Sequence, residues 1–425
     1  MWFIARLKER TLLLIASAYF LTGAGTIYLT RPGDNKGLFL TGAGVLILAL
    51  FALSYMWQRL DFNGNQYLLP LAAIFSYTSL IFLYRLDQAY ALRQFIWLLA
   101  GLAIVAFITC FLRNYNFLAD YKYIYAVLGI IGLVLPIFWG TEQGGAKSWL
   151  DLGFFHIQTS EFVKILLVLF LASFLTENRL ILAKGTRNFY GFTIPGPQEW
   201  GPLVLMWAIS LLLLIFQKDL GGALIFFSTF LAMVYVATAR IFYTISGASL
   251  FLIGTAFCYR YFEHIRWRIK VWLNPWPYAD TAGYQVLQSL FALSAGGLTG
   301  TGLGNGFPNF IPAVHTDFIF AAITEEIGLL GGIGIIILYF LFLYSGFQVA
   351  VKTKDEFASL LASGLTALIG IQTFVIIAGV TKLLPLTGIT LPFISYGGSS
   401  LGANFIILGL LLVVSQEYPE RSRSG

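Results

Sequence analysis

An all-α polytopic membrane protein of about twelve transmembrane helices is the fold class this sequence predicts, and three observations predict it. Of 425 residues, 58% are hydrophobic and only 11% charged, under half the charge of an ordinary soluble domain. The mean hydropathy is +0.80. The apolar residues gather into runs of roughly 20, the length that crosses ~30 Å of hydrocarbon. Disorder, collagen, coiled coil and a soluble enzyme of ordinary surface are excluded on this composition. The ten Trp, 22 Tyr and 39 Phe suit helix packing and interfacial aromatic belts. Cys110 and Cys258 both lie inside apolar runs, which argues against a disulfide framework or zinc site. The net charge of +6 is scattered between the runs, so it reads as membrane topology and predicts no nucleic-acid partner.

In order, the runs fall at roughly 11–30, 37–57, 66–84, 92–112, 123–140, 160–176, 201–217, 219–238, 240–258, 317–344, 357–380 and 391–415. The first is read as a span, because no small-residue cleavage site follows its basic start (Arg6, Lys8, Arg10). Setting aside the long segment 259–316, Lys and Arg concentrate on one side of the membrane when the N-terminus is placed in the cytoplasm. Both termini are then expected inside, and 259–316 is expected as a large extracytoplasmic loop. No charge-rich linker, low-complexity tract or repeat interrupts the chain, so 1–425 is expected as a single membrane domain. Shorter polar insertions at 141–159 and 177–200 flank that loop in sequence.

The polar residues that break this monotony are the candidates for chemistry. Arg266-Trp-Arg-Ile-Lys-Val-Trp-Leu-Asn-Pro-Trp-Pro-Tyr-Ala-Asp280 sets Arg266, Arg268 and Lys270 beside three Trp and ends in an acid. The segment reads either as an interfacial belt or as a site for an anionic lipid headgroup, with cations for phosphate and one carboxylate for a proton. Tyr284-Gln-Val-Leu-Gln-Ser-Leu-Phe-Ala-Leu alternates its faces like a re-entrant or interfacial helix. The glycine run 296–306 is no dinucleotide fingerprint, since neither a strand nor a Walker lysine accompanies it; a flexible re-entrant loop accounts for it. In His315-Thr-Asp-Phe-Ile-Phe-Ala-Ala-Ile-Thr-Glu-Glu326, Asp317 and Glu325 lie about 80° apart on a helix. They either face one polar cavity or pair with partners; Glu326 reads as the neutraliser of a lysine. Glu161 and Lys164 are spaced to pair on one helix face. Gln217-Lys-Asp-Leu-Gly inserts charge between adjacent spans. Leu391-Pro-Phe-Ile-Ser-Tyr-Gly-Gly-Ser-Ser resembles a broken helix lining a cavity.

In this order, these segments resemble the SEDS family of bacterial cell-wall glycosyltransferases, of RodA, FtsW and SpoVE type. The matching pieces are Gln158-Thr-Ser-Glu-Phe-Val-Lys164, Gln217-Lys-Asp-Leu-Gly, Asn274-Pro-Trp with Asp280, Gly283-Tyr-Gln-Val-Leu-Gln-Ser289, His315-Thr-Asp-Phe-Ile-Phe and Pro392-Phe-Ile-Ser-Tyr-Gly-Gly-Ser-Ser. They define a SEDS-like core over 66–415, which residues 1–57 precede with two extra helices. Thr159 stands where the family usually has Pro, and Pro277-Tyr-Ala lengthens the spacer before the acid. The resemblance implies polymerisation of lipid II on the outer face of the bacterial cytoplasmic membrane, by inverting transfer with a diphospho-undecaprenol leaving group. It also implies a class B penicillin-binding protein as transpeptidase partner.

Under that resemblance the loop 259–316 is the catalytic loop and Asp280 the catalytic acid–base residue. Arg266, Arg268, Lys270, Tyr284, Gln285, Gln288, Ser289, His315, Thr316, Asp317, Ser395 and Ser399 are expected to bind substrate. Glu161, Lys164, Gln217, Asp219 and Glu325 are expected to be structural or to line the cavity. A divalent cation, Mg²⁺ or Mn²⁺, is the expected cofactor, with no organic cofactor and no assigned metal ligands. A hydrolase would ordinarily show two paired carboxylates, and this loop offers one. The alternative is a lipid II flippase without covalent chemistry, which the many spans and buried charges would also suit. Tyr84-Arg-Leu-Asp and the extra N-terminal pair lean the assignment toward cell elongation.

Overall fold

The computed structural model describes residues 6–30, 36–112, 114–143, 146–151, 153, 156–184, 187–189, 192–194 and 197–416. Its helices are α1 (Leu7–Thr30), α2 (Lys36–Arg59), α3 (Leu68–Leu86), α4 (Gln88–Phe111), α5 (Lys122–Trp139), α6 (Thr159–Lys184) and α7 (Pro197–Phe216). Then follow α8 (Leu220–Thr238), α9 (Ile241–Tyr261), α10 (Glu263–Leu273), α11 (Tyr284–Gly296), α12 (Ile319–Lys352), α13 (Glu356–Val380) and α14 (Gly398–Val414). All twelve apolar runs fall on helices. Among the described residues ten are long and apolar enough to cross a membrane; α7 and α14 carry shorter apolar stretches. The expected number of twelve spans is thus met by ten on this measure.

Two polar insertions fold as small antiparallel sheets that the hydropathy pattern does not anticipate. Strands β1 (Gly140–Gln143), β2 (Ala146–Asp151) and β3 (His156–Gln158) join α5 to α6, and β4 (Arg187–Phe189) pairs with β5 (Phe192–Ile194). Gln217 pins the first sheet to the bundle. Its backbone oxygen accepts from Lys147 N at 3.0 Å, and its side-chain amide donates to the Leu133 carbonyl.

The core is built around α3, α6, α13 and α14, with α12 across α13 and α3, and with α1 and α2 packed outside α3 and α4. A helix surrounded by other helices is apolar on every face, and α3 buries nearly all its side chains. By contrast α9 buries none, as expected of a helix that faces lipid hydrocarbon.

α12 is broken. Gly328 takes φ +73° inside it, and the glycine run crosses the break. Thr301 N and Gly302 N donate to the Glu325 and Glu326 carbonyls, each at 3.0 Å; on the other side Leu329 N and Leu330 N donate to Gly297 O and Leu298 O. Gly300, at φ +85°, lies so close that a Cβ would sit 2.2 Å from the Glu326 carbonyl oxygen. Only glycine fits there.

The adjacent carboxylates lock the same segment. Glu325 Oε1 accepts from Phe307 N at 2.8 Å, Glu326 Oε2 accepts from Gly304 N at 2.9 Å, and Arg85 donates to Glu326 Oε1 at 2.9 Å and to Gly306 O at 2.7 Å. Two expectations change. The glycine run is a splice across a helix break and not a flexible loop, and the partner of Glu326 is an arginine of α3 and not a lysine.

Both ends of the Arg85–Glu326 pair are buried. Removing one partner of such a pair typically costs about 3–5 kcal/mol, because the other charge is left uncompensated. Glu326→Gln is therefore expected to lower the melting temperature in detergent sharply, and Arg85→Met with Glu326→Gln to recover part of the loss. Unchanged melting of Glu326→Gln would show that the pair holds nothing together.

Candidate active site

α10 carries the cations. It follows α9 after a single extended residue, Phe262, and ends where Asn274 and Pro275 cannot continue the helix. Its inner face rests on the loop after α13: Arg268 donates to the Leu386 carbonyl at 3.2 Å and Trp272 Nε1 to the Lys382 carbonyl at 3.0 Å. Lys270 is exposed and lies 5.8 Å from the centre of the Trp267 ring, a cation–π distance. Arg266 Nε is buried and has no acceptor among the described residues.

Beyond α10 the chain makes a tight double turn. Tyr278 O accepts from Thr281 N at 3.0 Å and from Gly283 N at 2.8 Å, and a Cβ on Gly283 would collide with the Pro275 carbonyl at 2.4 Å. The turn leaves Asp280 exposed, and its carboxylate accepts no hydrogen bond among the described residues. The helix read at 284 onward is α11. Tyr284, Gln285 and Gln288 are at least partly accessible on it, whereas Ser289 is buried and donates to the Val286 carbonyl at 3.0 Å, with the Val380 carbonyl at 3.3 Å.

Below α10 lies a layer of buried polar groups. Lys164 donates to Glu161 at 2.6 Å and to Gln372 Oε1 at 2.8 Å, while Gln372 donates to the Thr390 carbonyl at 2.8 Å. Asp219 caps α8 through Gly222 N at 2.8 Å and accepts from Ser160 at 3.2 Å. These groups enclose a cavity of about 20 Å³, room for one water. Asp317, in the turn ahead of α12, lies with Oδ2 3.6 Å from where a Gly388 Cβ would stand.

Arg268 acts electrostatically on both Asp219 and Asp317. Its own pKa is lowered, chiefly by burial, with the two carboxylates opposing the shift; a guanidinium stays charged regardless. Burial raises Asp219, against its bonds to Gly222 and Ser160 and the pull of Arg268. Burial likewise pushes Asp317 up to about 6, opposed by the Thr316 hydroxyl and Arg268.

The remaining expected contacts are held by elements other than α10 and α11. His315 stacks on Tyr90 at 4.2 Å, and burial lowers its pKa, opposed by Asp87. Ser395, expected at the substrate, is buried; it donates to the Thr316 carbonyl at 2.6 Å and accepts from Leu391 N at 2.8 Å. Ser399, expected there too, accepts from Gln158 N at 3.1 Å. These hydroxyls, like that of Ser289, hold main chain in place. They brace the irregular 391–397 segment, where Phe393 adopts φ +62°, rare for a residue with a side chain. Glu325 belongs to the glycine splice, where it accepts from Phe307 N. Arg85, Ser160, Gln372 and Thr390 were not anticipated, although a lone amide inside the apolar run 357–380 is itself a signal. No group of three or more His, Cys, Asp or Glu among the described residues could hold a metal ion.

The FtsW/RodA/SpoVE family, described as a cell cycle protein, matches residues 59–420. The peptidoglycan glycosyltransferase RodA of Mycobacterium tuberculosis (strain H37Rv) is 39% identical over 424 residues, covering 96% of this chain and 90% of that protein. Stage V sporulation protein E of Bacillus subtilis is 35% identical and covers 78% of this chain and 89% of its own length. Among solved structures, one reported for the structural coordination of polymerization and crosslinking by a peptidoglycan synthase complex superposes with a TM-score of 0.68 at 28% identity, covering 83% of this chain and 97% of that one. The rod shape determining protein RodA of Thermus thermophilus superposes with a TM-score of 0.59 at 25% identity, covering 83% of this chain and 96% of that one. On this similarity, which extends over nearly the whole sequence, the chain belongs to the FtsW/RodA/SpoVE family.

Proposed function

We propose that the protein is a peptidoglycan glycosyltransferase that polymerises lipid II into glycan strands on the outer face of the bacterial cytoplasmic membrane. The observation that carries this reading is the exposed Asp280 carboxylate, unbonded among the described residues, on the turn that follows the cationic helix α10, in a chain 39% identical to proteins named for that activity. In the reaction the acceptor sugar hydroxyl attacks the anomeric carbon of a second molecule. The anomeric C–O bond breaks, and the diphosphate departs with the bonding electrons.

Asp280 takes the hydroxyl proton. Arg268, with Arg266 and Lys270, offsets the charge that gathers on the leaving oxygens. Tyr284, Gln285, Gln288, His315 and Thr316 line the approach. Glu161, Lys164, Asp219 and Asp317 set the field beneath it. Among the described residues no cluster of His, Cys, Asp or Glu could cage a cation; Asp280 is the carboxylate that would help hold a Mg²⁺ or Mn²⁺ ion, which would supply neutralisation of leaving-group charge.

The orientation proposed keeps both termini cytoplasmic and α10 and α11 outside. A class B penicillin-binding protein is the proposed partner, in line with the synthase complex that the fold matches. A role in elongation is favoured because the mycobacterial RodA relatives cover 96 to 98% of the chain, whereas SpoVE and FtsW relatives cover 76 to 78%.

The direct test incubates purified protein with lipid II and a divalent cation and looks for glycan polymer on a gel; hydrolysis or mere binding would reject the assignment. Two further outcomes are expected. A cysteine at exposed Leu298 should react with an impermeant thiol reagent from outside, and one at Lys354 only after lysis; the reverse pattern would invert the topology. Asp317 gains its charge as pH rises through about 6, which weakens the hold of Arg268 on a diphosphate. KM is therefore expected to rise roughly threefold from pH 5 to 7, and Asp317→Asn to show a flatter profile.

A further inference from the structure

A second cavity shares no lining residue with the buried polar layer. It is an apolar groove of about 610 Å³ between α2, α3 and α4, lined among others by Phe39, Gly42, Ala43, Leu80, Ala91 and Phe95. That volume lies in the range of ligand sites. Apart from Thr41 of α2, its polar lining stands at the α3–α4 corner, with Tyr84, Asp87 and Gln88. Small residues create the space: an added Cβ at Gly42 would come no nearer than 3.7 Å to the Phe95 ring. One wall of the groove is α2, which precedes the family match beginning at residue 59.

Two observations select an occupant. First, the polar end runs on into the site: Asp87 acts on His315, Tyr90 stacks on His315, and His315 is two residues from Asp317 beside Arg268. Secondly, among the described residues the one charged side chain lining the groove is acidic, Asp87. A phospholipid with an acyl chain in the groove would carry its phosphate only a few bonds away, against that carboxylate. A long isoprenoid escapes the conflict, because its diphosphate can lie at Arg268 while a distant part of the chain fills the groove.

We infer that the groove holds the polyisoprenoid tail of the lipid-linked substrate, so that α2 adds a tail-binding site to the core. This rests on the proposed glycosyl transfer, but it can be tested apart from it. Gly42→Leu and, at the exposed mouth, Ala89→Trp fill the groove without touching the site. Binding of undecaprenyl phosphate, measured by native mass spectrometry with phosphatidylglycerol as competitor, is expected to weaken about tenfold in both variants, the loss of a few buried methylenes. In the polymerisation assay KM should rise similarly for lipid II with a full undecaprenyl tail and stay unchanged for an analogue with a short prenyl tail, with kcat retained.

Equal undecaprenyl phosphate affinity of wild type and both variants, or displacement by phosphatidylglycerol at equal concentration, would overturn the inference. Groove-dependent binding by a wild type that makes no polymer would instead reject glycosyl transfer and leave the tail site standing.

Discussion

Asp280→Asn is expected to reduce polymerisation by about 10²–10⁴-fold, the usual contribution of a positioned general base. The amide preserves the shape of the carboxylate and removes its basicity. Because Asp280 is exposed and bonds to nothing among the described residues, stability should change by no more than about 0.5 kcal/mol. Co-purification with a transpeptidase should also survive. Asp280→Glu keeps the carboxylate and shifts it by one methylene, so a small residual rate is expected. The measurement is polymer formed at matched protein levels, beside a melting curve. Near-normal polymer from the Asn variant would remove Asp280 from the chemistry and return attention to Asp317 and Asp219.

Arg268→Ala should be nearly as severe, about 10²–10³-fold, the scale seen when one preorganised donor to developing charge is lost. This variant also has a structural consequence. The Leu386 carbonyl loses its donor, and Asp219 and Asp317 lose the cation that favours their charged forms. Arg268→Lys separates the two effects: it restores the charge felt by the carboxylates but not the forked donor geometry. Recovery of melting temperature with only partial recovery of rate is the expected pattern. Wild-type rate in Arg268→Ala would transfer leaving-group stabilisation to Arg266, Lys270 or a metal ion.

The bundle was legible in the sequence because apolar length is a one-dimensional property. Each run, from 11–30 to 391–415, needed only its own composition to be placed on a helix. The residues around Asp280 were legible for a similar reason, since the cations, tryptophans and acid are contiguous. What the sequence left hidden depends on partners far along the chain. Ser289, Ser395 and Ser399 looked like ligands for a sugar because hydroxyls in a polar stretch invite that reading; each also bonds main chain distant in sequence, at Val380, Thr316 and Gln158. The glycines of 296–306 looked loose because composition cannot show that half of a broken helix bonds to them. Glu326 sought a lysine nearby, and its partner is 241 residues away.

That separation has a consequence for how the protein is made. Arg85 leaves the ribosome 241 residues ahead of Glu326, which at about 5–20 residues per second amounts to some 12–48 s. During that time α3 carries a guanidinium with its eventual counter-ion still unsynthesised, and a cation at bilayer depth without a partner is costly. Arg85 lies one residue from the end of α3, where a long side chain can reach the headgroup level. The helix can therefore enter the membrane early with its charge held at the surface. The Arg85–Glu326 pair can close only once the first half of α12 has been made, which places the α3–α12 contact late in synthesis, after α1 to α11.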